Sequence, residues 1–389
     1  MARVALVHDF LLDLRGAERV FAAICDRWPA ADVFTAVYDP AGTEHRFADR
    51  RIHTSFLQRV RPTARTFRLL LPLYPHAVES LDLRSYDVVI SSSSAWAHGV
   101  LVEPGAVHVC YCHSAFRYAW TEREATLNAR HPLVRPPLRL VLDRWRRWDW
   151  IAAQRVDRYV ANSSTTAARV KRYFGRDSDV LHPGADLERF WPGAVGDHYV
   201  VLAELMAHKR IEVAVRAFNR LRLPLVVVGD GPEGRRLRAL AGPTVTFAGR
   251  VSDERVAALL RSARALVLTS FEEFGLAAVE AMASGRPVVA LAAGGALETV
   301  VPGRTGAFYE TSDPDALAEA VLAFDALGVD PQDCVTNARR FGHERFQERL
   351  ARIVDAAVTA GDRRRREGRR VPSGLVLEAR RARWAAAGY

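Results

Sequence analysis

The sequence predicts an α/β protein built from two Rossmann-like domains whose parallel sheets face a central cleft. Three observations predict this class. Short apolar runs alternate with stretches of helical period, the alternation restarts in the second half, and a turn-rich segment separates the two series. The 389 residues suffice for two or three domains, and 49% hydrophobic with 26% charged residues is ordinary globular composition.

In the first half, apolar runs bounded by polar or glycine-bearing turns predict buried strands at 4–8, 88–92, 107–112 and 158–162. Segments of helical period lie between them, including 18–28 and 143–157. The stretch 181–193 is rich in turn-forming residues. We therefore place the N-terminal domain at 1–185 and a linker at 186–198.

The second half repeats this pattern more plainly. Strands are predicted at 199–203, 225–228, 244–247, 265–268 and 287–290, with helices that begin near Arg210, Glu233, Asp253 and Gly275. We place the C-terminal domain at 199–345, followed by C-terminal helices and an arginine-rich tail at 346–389. Ligands of open α/β sheets bind beyond the carboxyl ends of the strands, so the cleft between the domains is the predicted site.

Charge and hydropathy favour an anionic partner and argue against a membrane-spanning protein. The formal net charge is +10 with a pI near 9.9, which favours an anionic partner. Lys171 and Lys209 are the only lysines among 55 basic residues, so each lysine is of interest. The longest uncharged runs are shorter than the roughly 18–20 residues of a spanning helix. The N-terminus reads as a first strand, and we expect a cytoplasmic protein.

The metal-binding patterns are weak. Cys110 and Cys112 form a C-x-C pair followed by His113, but a zinc site usually needs C-x2-C spacing and a second ligand pair. Two D-x-D pairs, at 177/179 and 313/315, do not follow an obvious buried strand. We therefore predict no catalytic metal and no bound cofactor.

The strongest signal lies at residues 270–285, which read Ser-Phe-Glu-Glu-Phe-Gly-Leu-Ala-Ala-Val-Glu-Ala-Met-Ala-Ser-Gly. A strand is predicted to end at Ser270 and a helix to begin near Gly275. The free N–H groups and positive end of that helix would suit a diphosphate. Glu272 precedes the helix and Glu280 lies inside it, so two acids could meet different parts of one ligand. The alternative is a capped amphipathic helix with two solvated glutamates.

This E-x7-E pattern, in the order E-x-F-G-L-x-x-x-E-A-M-A-x-G-x-P-V-V-A, resembles the signature of the retaining family 4 glycosyltransferases of GT-B fold. Four further segments are similar to that family in the same order, at 182–186, 226–233, 247–254 and 294–300. In the first half, residues 16–19 and 110–120 add to the likeness. The second of these resembles the branch of O-antigen and exopolysaccharide mannosyltransferases, and the likeness covers roughly residues 1–350.

The resemblance implies roles for residues of the 270–285 segment. Glu280 would accept hydrogen bonds from the ribose hydroxyls, and Glu272 would face the hydroxyls of the donor sugar. The backbone around Phe274, Gly275 and Leu276 would enclose the sugar and the diphosphate.

It also implies roles for residues on other loops. Lys209 would hold the charge that accumulates on the leaving diphosphate, and His113 would face the donor sugar. Gly16 would form the tight turn after the first strand. Arg117 and Trp120 would shape the acceptor pocket in the N-terminal domain.

Two positions depart from the family pattern. Many members carry an arginine five residues before the lysine, where this chain has Glu204. The loop after the first strand has Arg15 where glycine is common, which points a cation toward the cleft. Either Arg210 or Arg15 then supplies the second phosphate-binding cation, or phosphate binding is weaker.

The resulting expectation is a retaining, metal-independent hexosyltransferase that acts in cell-surface polysaccharide synthesis. The donor would be a nucleoside-diphosphate sugar, with GDP-mannose first and UDP-linked sugars second. The acceptor would be a hydroxyl of a glycan or of a polyprenyl-linked molecule. A nucleotide-sugar 2-epimerase shares the fold and is an alternative.

Two segments of the first half could form a surface that binds a membrane or a nucleic acid. The apolar stretch 67–74 and the arginine–tryptophan segment 143–157 could dock together on an anionic membrane, placing the protein at the inner face of the cell membrane. The alternative is a solvated basic face with buried tryptophans. Trp145, Trp148 and Trp150 among arginines could also imitate a nucleic-acid-binding module. The donor motif argues against that, and we predict no nucleic-acid partner.

Overall fold

The computed structural model describes residues 2–64, 66–325 and 327–368, with the backbone alone for 364–368. The described residues form two parallel β-sheets flanked by helices. The strands are β1 (Val4–His8), β2 (Asp32–Thr35), β3 (Ile52–Thr54), β4 (Val88–Ser93), β5 (Val107–Cys112), β6 (Arg158–Ala161), β7 (Ser178–Val180), β8 (Tyr199–Leu202), β9 (Leu225–Val228), β10 (Val245–Gly249), β11 (Leu266–Leu268), β12 (Val288–Leu291) and β13 (Gly306–Tyr309).

Helices connect the strands in the alternation that the sequence predicts. They are α1 (Gly16–Arg27), α2 (Tyr74–Glu79), α3 (Arg123–Asn128), α4 (Arg135–Ala153), α5 (Ser164–Phe174), α6 (Ile211–Leu221), α7 (Gly234–Leu240), α8 (Asp253–Ser262), α9 (Leu276–Ala283), α10 (Ala296–Thr299), α11 (Pro314–Asp325), α12 (Pro331–Ala338) and α13 (His343–Gly368). Short 3-10 turns include Phe67–Leu73 and Ala207–Lys209.

Both sheets reverse their strand order at one point. The N-terminal sheet has the order β3-β2-β1-β4-β5-β6-β7, and the C-terminal sheet has the order β10-β9-β8-β11-β12-β13. The chain moves outward in one direction from β1 and β8, and then restarts on their other sides at β4 and β11. The loops after β1 and β8 lie at these switch points, where open sheets bind ligands. The predicted fold class is confirmed.

The last described helix returns to the N-terminal domain. Phe346, Leu350 and Val354 of α13 are buried in the same core as Leu6 of β1 and Phe21 of α1. This region was predicted only as C-terminal helices and tail, and the structure shows that α13 packs on the first domain. The predicted tail beyond residue 368 lies outside the described residues. No helix in the described part of the chain is long and apolar enough to cross a membrane.

The sequence prediction missed four short strands, β2, β3, β7 and β13. β3 and β7 have three half-buried residues each and lie at the two edges of their sheet, so they carry no apolar run that would reveal them. The helix predicted at 143–157 begins eight residues earlier, at Arg135. Pro136 and Pro137 occupy its first turn, where proline is tolerated because those N–H groups have no helical partner.

Candidate active site

A cavity of about 1100 Å³ lies between the two domains at the carboxyl ends of both sheets. Six of the predicted site residues line it, namely Gly16, Lys209, Glu272, Gly275, Leu276 and Glu280. Arg15 and Glu204, the two departures from the family pattern, line it as well. The structure therefore brings together residues that lie more than 250 positions apart in the sequence.

The loop before α9 depends on glycines at three positions, Gly275, Gly294 and Gly295. Gly275 has a φ of +90° and is the N-cap of α9, a left-handed conformation that glycine adopts without steric cost. The chain of Gly294 passes so close that a Cβ there would lie 2.2 Å from the carbonyl oxygen of Glu272. The N–H of Gly295 donates to the same carbonyl at 2.8 Å. The glycine pair thus fixes Glu272 at the cleft.

Lys209 and Glu272 form an ion pair on the C-terminal side of the cavity. The Lys209 ammonium donates to both carboxylate oxygens of Glu272, at 2.8 and 2.6 Å. The hydroxyl of Ser270 donates to Glu272 Oε1 at 2.8 Å, and that of Thr269 donates to the Lys209 carbonyl at 2.7 Å. The side chain predicted to bind the diphosphate, Lys209, and the side chain predicted to bind the sugar, Glu272, therefore lie in direct contact.

The N-terminus of α1 faces the N-terminus of α9 across the cleft. A Cβ on Gly16 would lie 3.6 Å from Leu276 Cδ1, which is van der Waals contact. Glu18 in the first turn of α1 accepts the N–H of Arg15 at 3.1 Å, as expected for an acid at the positive end of a helix. Free N–H groups and positive dipole ends of two helices thus converge on one region of the cavity, which suits an anionic group.

Glu280 lies deeper in the cavity, near a carboxylate held by two arginines. Burial raises the pKa of the Glu280 carboxyl above its usual range, while Arg19 and Arg189 oppose the shift. Both arginines donate to Asp253, Arg19 to one oxygen and Arg189 to the other, each at 2.8 Å. A ligand hydroxyl at Glu280 would therefore meet a carboxylate that has little water around it.

A ladder of alternating charges crosses the cleft at Arg15. Its guanidinium binds Glu204 of the C-terminal domain at 2.6 Å and Asp13 of its own domain at 2.9 Å. Asp13 in turn accepts from Arg250 of the C-terminal domain at 2.8 Å. Burial would raise the pKa of the Asp13 carboxyl, but hydrogen bonds from Arg250 and Arg15 hold it below its usual range. Burial would lower the pKa of Arg15, but Glu204 and Asp13 hold it above its usual range.

Three predicted site residues do not line the cavity. His113 is buried with its Nε2 2.8 Å from the Ser92 hydroxyl, and burial together with His8 lowers its pKa to about 3. The Phe274 ring is buried in the core of the C-terminal domain. Arg210 donates through Nε to Glu212 at 2.8 Å.

The two weaker acceptor predictions lie on the loop after β5. Arg117 contacts His208 at 3.4 Å across the domain boundary, which brings it next to the Lys209 turn. The Trp120 indole donates to the buried Asp149 at 2.6 Å and stacks on Tyr173, so it has a packing role in the N-terminal domain.

The described residues contain no group of three or more His, Cys, Asp or Glu side chains placed to hold a metal ion. Cys110 and Cys112 are buried in β5, and all four cysteines are free thiols. Asp313 accepts the N–H of Asp315 at the start of α11, so it caps that helix.

Among the charged cavity residues that the sequence prediction did not select are Arg19, Arg189, Arg250 and Asp253. Arg19, Arg250 and Asp253 lie inside the segments 16–19 and 247–254, which resemble the family, but the resemblance gave these three residues no role. Their partners lie on other segments of the chain, and a single sequence gives no sign of such pairing.

Two family models match the chain, one for each half. Residues 14–189 match "Glycosyltransferase Family 4", and residues 197–324 match "Glycosyl transferases group 1". The chain is 29% identical over 306 residues to D-inositol 3-phosphate glycosyltransferases of Mycobacterium bovis and Mycobacterium tuberculosis. This match covers 70% of the chain and 62% of the length of those relatives.

Solved structures share the architecture. Sucrose-phosphate synthase from Thermosynechococcus elongatus superimposes with a TM-score of 0.73 at 19% identity, covering 92% of this chain and all of that one. HepE of Anabaena, in complex with UDP and glucose, gives a TM-score of 0.68 at 17% identity with the same coverage. The fold is thus GT-B, and each half of the chain matches a glycosyltransferase family model.

Proposed function

We propose that this chain, whose halves match glycosyltransferase domains, moves a hexose from a nucleoside-diphosphate sugar to an acceptor hydroxyl with retention of anomeric configuration and without a catalytic metal. The single observation that carries this proposal is the convergence of Lys209, Glu272 and Glu280 on the cavity between the sheets. The N-termini of α1 and α9 face that same space. Such an arrangement offers a cation, oriented N–H groups and two hydrogen-bond acceptors to one elongated anionic ligand.

Each of these groups has a chemical task in the proposed reaction. When the bond between the anomeric carbon and the diphosphate breaks, negative charge grows on the phosphate oxygens. Lys209 and the helix N–H groups stabilise that charge more in the transition state than in the bound donor. Glu272 orients the sugar through its hydroxyls, and Glu280 holds the ribose. The acceptor hydroxyl attacks the sugar face that the diphosphate leaves, and its proton passes to the departing phosphate.

We consider two classes of donor, GDP-linked and UDP-linked sugars. GDP-mannose comes first because residues 110–120 resemble the mannosyltransferase branch. UDP-glucose is the second choice, and the likeness to HepE of Anabaena, a structure that holds UDP and glucose, supports its inclusion. The acceptor is a hydroxyl of a glycan or of a polyprenyl-linked molecule, bound by the N-terminal domain in cell-surface polysaccharide synthesis.

A lipid-linked acceptor would be met at a membrane surface, and the N-terminal domain offers a surface for anionic lipid. Leu69 of the 3-10 turn is 81% exposed and Leu140 of α4 is 67% exposed. Arg144 and Arg147 extend along the same exposed face of α4 as Leu140. The 3-10 turn and α4 pack against the same core cluster of the N-terminal domain. Trp145 is buried, which leaves apolar side chains and arginines on the surface.

Liposome sedimentation tests the membrane proposal. Leu69→Asp and Leu140→Asp should each weaken binding to anionic vesicles in low salt, because each replaces an inserting apolar group by a charge of the wrong sign. Leu322→Asp is the matched control, since Leu322 is a 59% exposed leucine on α11 of the other domain. Binding that is absent in low salt, or equal in all three variants, would refute this surface.

A donor screen tests the enzymatic proposal. GDP-mannose, UDP-glucose and related nucleotide sugars are added to the protein, and the melting temperature and product release are recorded with and without EDTA. One donor should raise the melting temperature of the wild type and of Glu348→Gln, an exposed control on α13, and raise it less in Glu280→Gln.

Three outcomes would count against the proposal. The absence of a shift with every nucleotide sugar would refute it. Conversion of the donor sugar without any acceptor would favour the epimerase, and loss of transfer with EDTA would remove the metal-independent mechanism.

A further inference from the structure

The charge of the cavity is opposite to that of the whole protein. Among the described residues, eight carboxylates and six cationic side chains line the cavity, although the chain has a net charge of +10. The diphosphate of a nucleoside-diphosphate sugar brings about two further negative charges. Its phosphates therefore need cations at one particular place, and these cations must leave carboxylates to which they are now bound.

Arg15 is positioned to be one of those cations. It is the N-cap residue of α1, next to Gly16, which approaches the N-terminus of α9. Its side chain is 47% exposed and lines the cavity, and one terminal nitrogen reaches Glu204 on the opposite wall. The other candidate, Arg210, does not line the cavity and binds Glu212 on its own helix.

We infer that Arg15 is the second cation for the donor diphosphate, beside Lys209, and that Glu204 holds it across the cleft until the phosphates displace that carboxylate. This inference rests on the proposed function. The guanidinium has five N–H donors in a planar fork. Nε stays on Asp13, itself held by Arg250, while the terminal nitrogens turn from Glu204 to the phosphate oxygens.

An interdomain role for the pair is the competing explanation, and other contacts already fill that role. Glu298 of α10 accepts both the N–H and the hydroxyl of Ser164 at the start of α5. Arg169 of α5 binds Glu273 at 3.1 Å. The pair of Arg15 and Glu204 is partly exposed, and such pairs add little stability because water and salt screen them. Its place in the cavity lining suits ligand exchange better than domain closure.

Calorimetric titration of the 389-residue chain with GDP and UDP tests the inference. Arg15→Gln should weaken binding of the recognised diphosphate by about 10- to 100-fold, the range for losing a hydrogen bond to a charged group. Glu204→Gln should tighten it several-fold, because Arg15 no longer has to leave a carboxylate. Guanosine and uridine, which lack phosphates, should bind all variants alike. Arg84→Gln is the matched control, since Arg84 is an exposed arginine paired with Asp82 outside the cavity.

The direction of the two effects separates the explanations. A purely interdomain pair would make Arg15→Gln and Glu204→Gln change binding in the same direction, and that result would overturn the inference. The double variant should bind like Arg15→Gln. If Glu204→Gln tightens binding equally in both backgrounds, Glu204 acts by repulsion and the holding role is wrong.

Two further results keep this inference apart from the proposed function. Wild type that binds neither GDP nor UDP would refute the proposed function itself, whereas wild type that binds no better than Arg15→Gln would refute only the role of Arg15. Arg15→Lys, which keeps the charge but loses the fork, should recover part of the affinity if Arg15→Gln is folded by circular dichroism. If Arg15→Gln is unfolded, Arg15→Lys and Glu204→Gln decide, and a failure of Glu204→Gln to tighten binding overturns the inference.

Discussion

Removing the Lys209 ammonium is expected to separate thermal stability from catalysis. Its nitrogen lies 2.6 and 2.8 Å from the two oxygens of Glu272, and the side chains are 20% and 18% exposed. Lys209→Ala would leave that carboxylate with Ser270 as its remaining side-chain donor. An under-bonded, largely buried acceptor costs about 1–3 kcal/mol. For a domain of this size we expect the melting temperature to fall by a few degrees.

The loss of activity should be much larger than the loss of stability. A well-placed charge donor in a desolvated site contributes about 10²–10³ to turnover, so Lys209→Ala should lose at least that factor at saturating donor. Lys209→Arg should recover only part of it, because a planar fork replaces a compact charge. In the double variant Lys209→Ala/Glu272→Gln the carboxylate is neutralised, so the melting temperature should recover while turnover stays low.

The measurement is the initial rate at saturating donor, with melting curves and circular dichroism recorded on the same samples. Lys171→Ala is the matched control, because Lys171 is the only other lysine and pairs with the exposed Asp177 on the surface of the N-terminal domain. If Lys209→Ala retains more than about a tenth of wild-type turnover, Lys209 does not hold the leaving group. The phosphate charge would then have to be carried by Arg15 and the helix N–H groups.

Three other predictions concern the site and its supports. Glu280→Gln should raise the donor KM more than it lowers kcat, because ribose contacts are equal in the ground and transition states. Glu272→Gln should lower kcat more than it raises KM, because Glu272 contacts the reacting sugar. The opposite pattern in steady-state kinetics would exchange the two roles. Gly294→Ala should lower turnover more than tenfold by pushing Glu272 from its place, and unchanged kinetics would show that the loop adapts. Burial lowers the pKa of His108 and of His113 to about 3, so the unfolded chain binds more protons between about pH 6.5 and 3. The stability that each buried neutral histidine contributes should be fully present above about pH 6.5 and be lost as the pH drops, by about 1 kcal/mol per pH unit, and melting temperatures that are flat from pH 7 to 4 would contradict this.

The main strands and the switch points could be predicted because parallel strands are buried on both faces and appear as apolar runs. β4 and β5, with every residue buried, show this most clearly. β3 and β7 are three-residue edge strands whose residues are only half-buried, so they carry no apolar run. The return of α13 to the first domain is a tertiary contact. Its amphipathic period shows a buried face but does not show which core receives it.

The residues of the candidate site that could be predicted to lie together are those that belong to one local motif. Glu272, Gly275 and Glu280 are fixed by a single loop and helix, so spacing places them together. Arg210 shows the limit of that reasoning. Its φ of +50° turns the chain immediately after Lys209, so the two neighbouring cations point to different partners. His113 also lies outside the cavity lining, because the chain end of β5 reaches the cleft while the ring turns inward to Ser92.

The two departures from the family pattern are explained by a contact that crosses the cleft. Taken separately, Glu204 removes a cation from one wall and Arg15 adds one to the other. In the structure the two side chains meet at 2.6 Å, so an arginine of the N-terminal domain reaches the opposite wall at Glu204. The net charge of the chain gives no help here, because the cavity lining itself is rich in acids. What binds a diphosphate in such a cleft is the placement of a few cations that can change partners. Of the two cations that we propose for the diphosphate, Arg15 belongs to the N-terminal domain and Lys209 to the C-terminal domain, so donor binding would draw on charges from both domains.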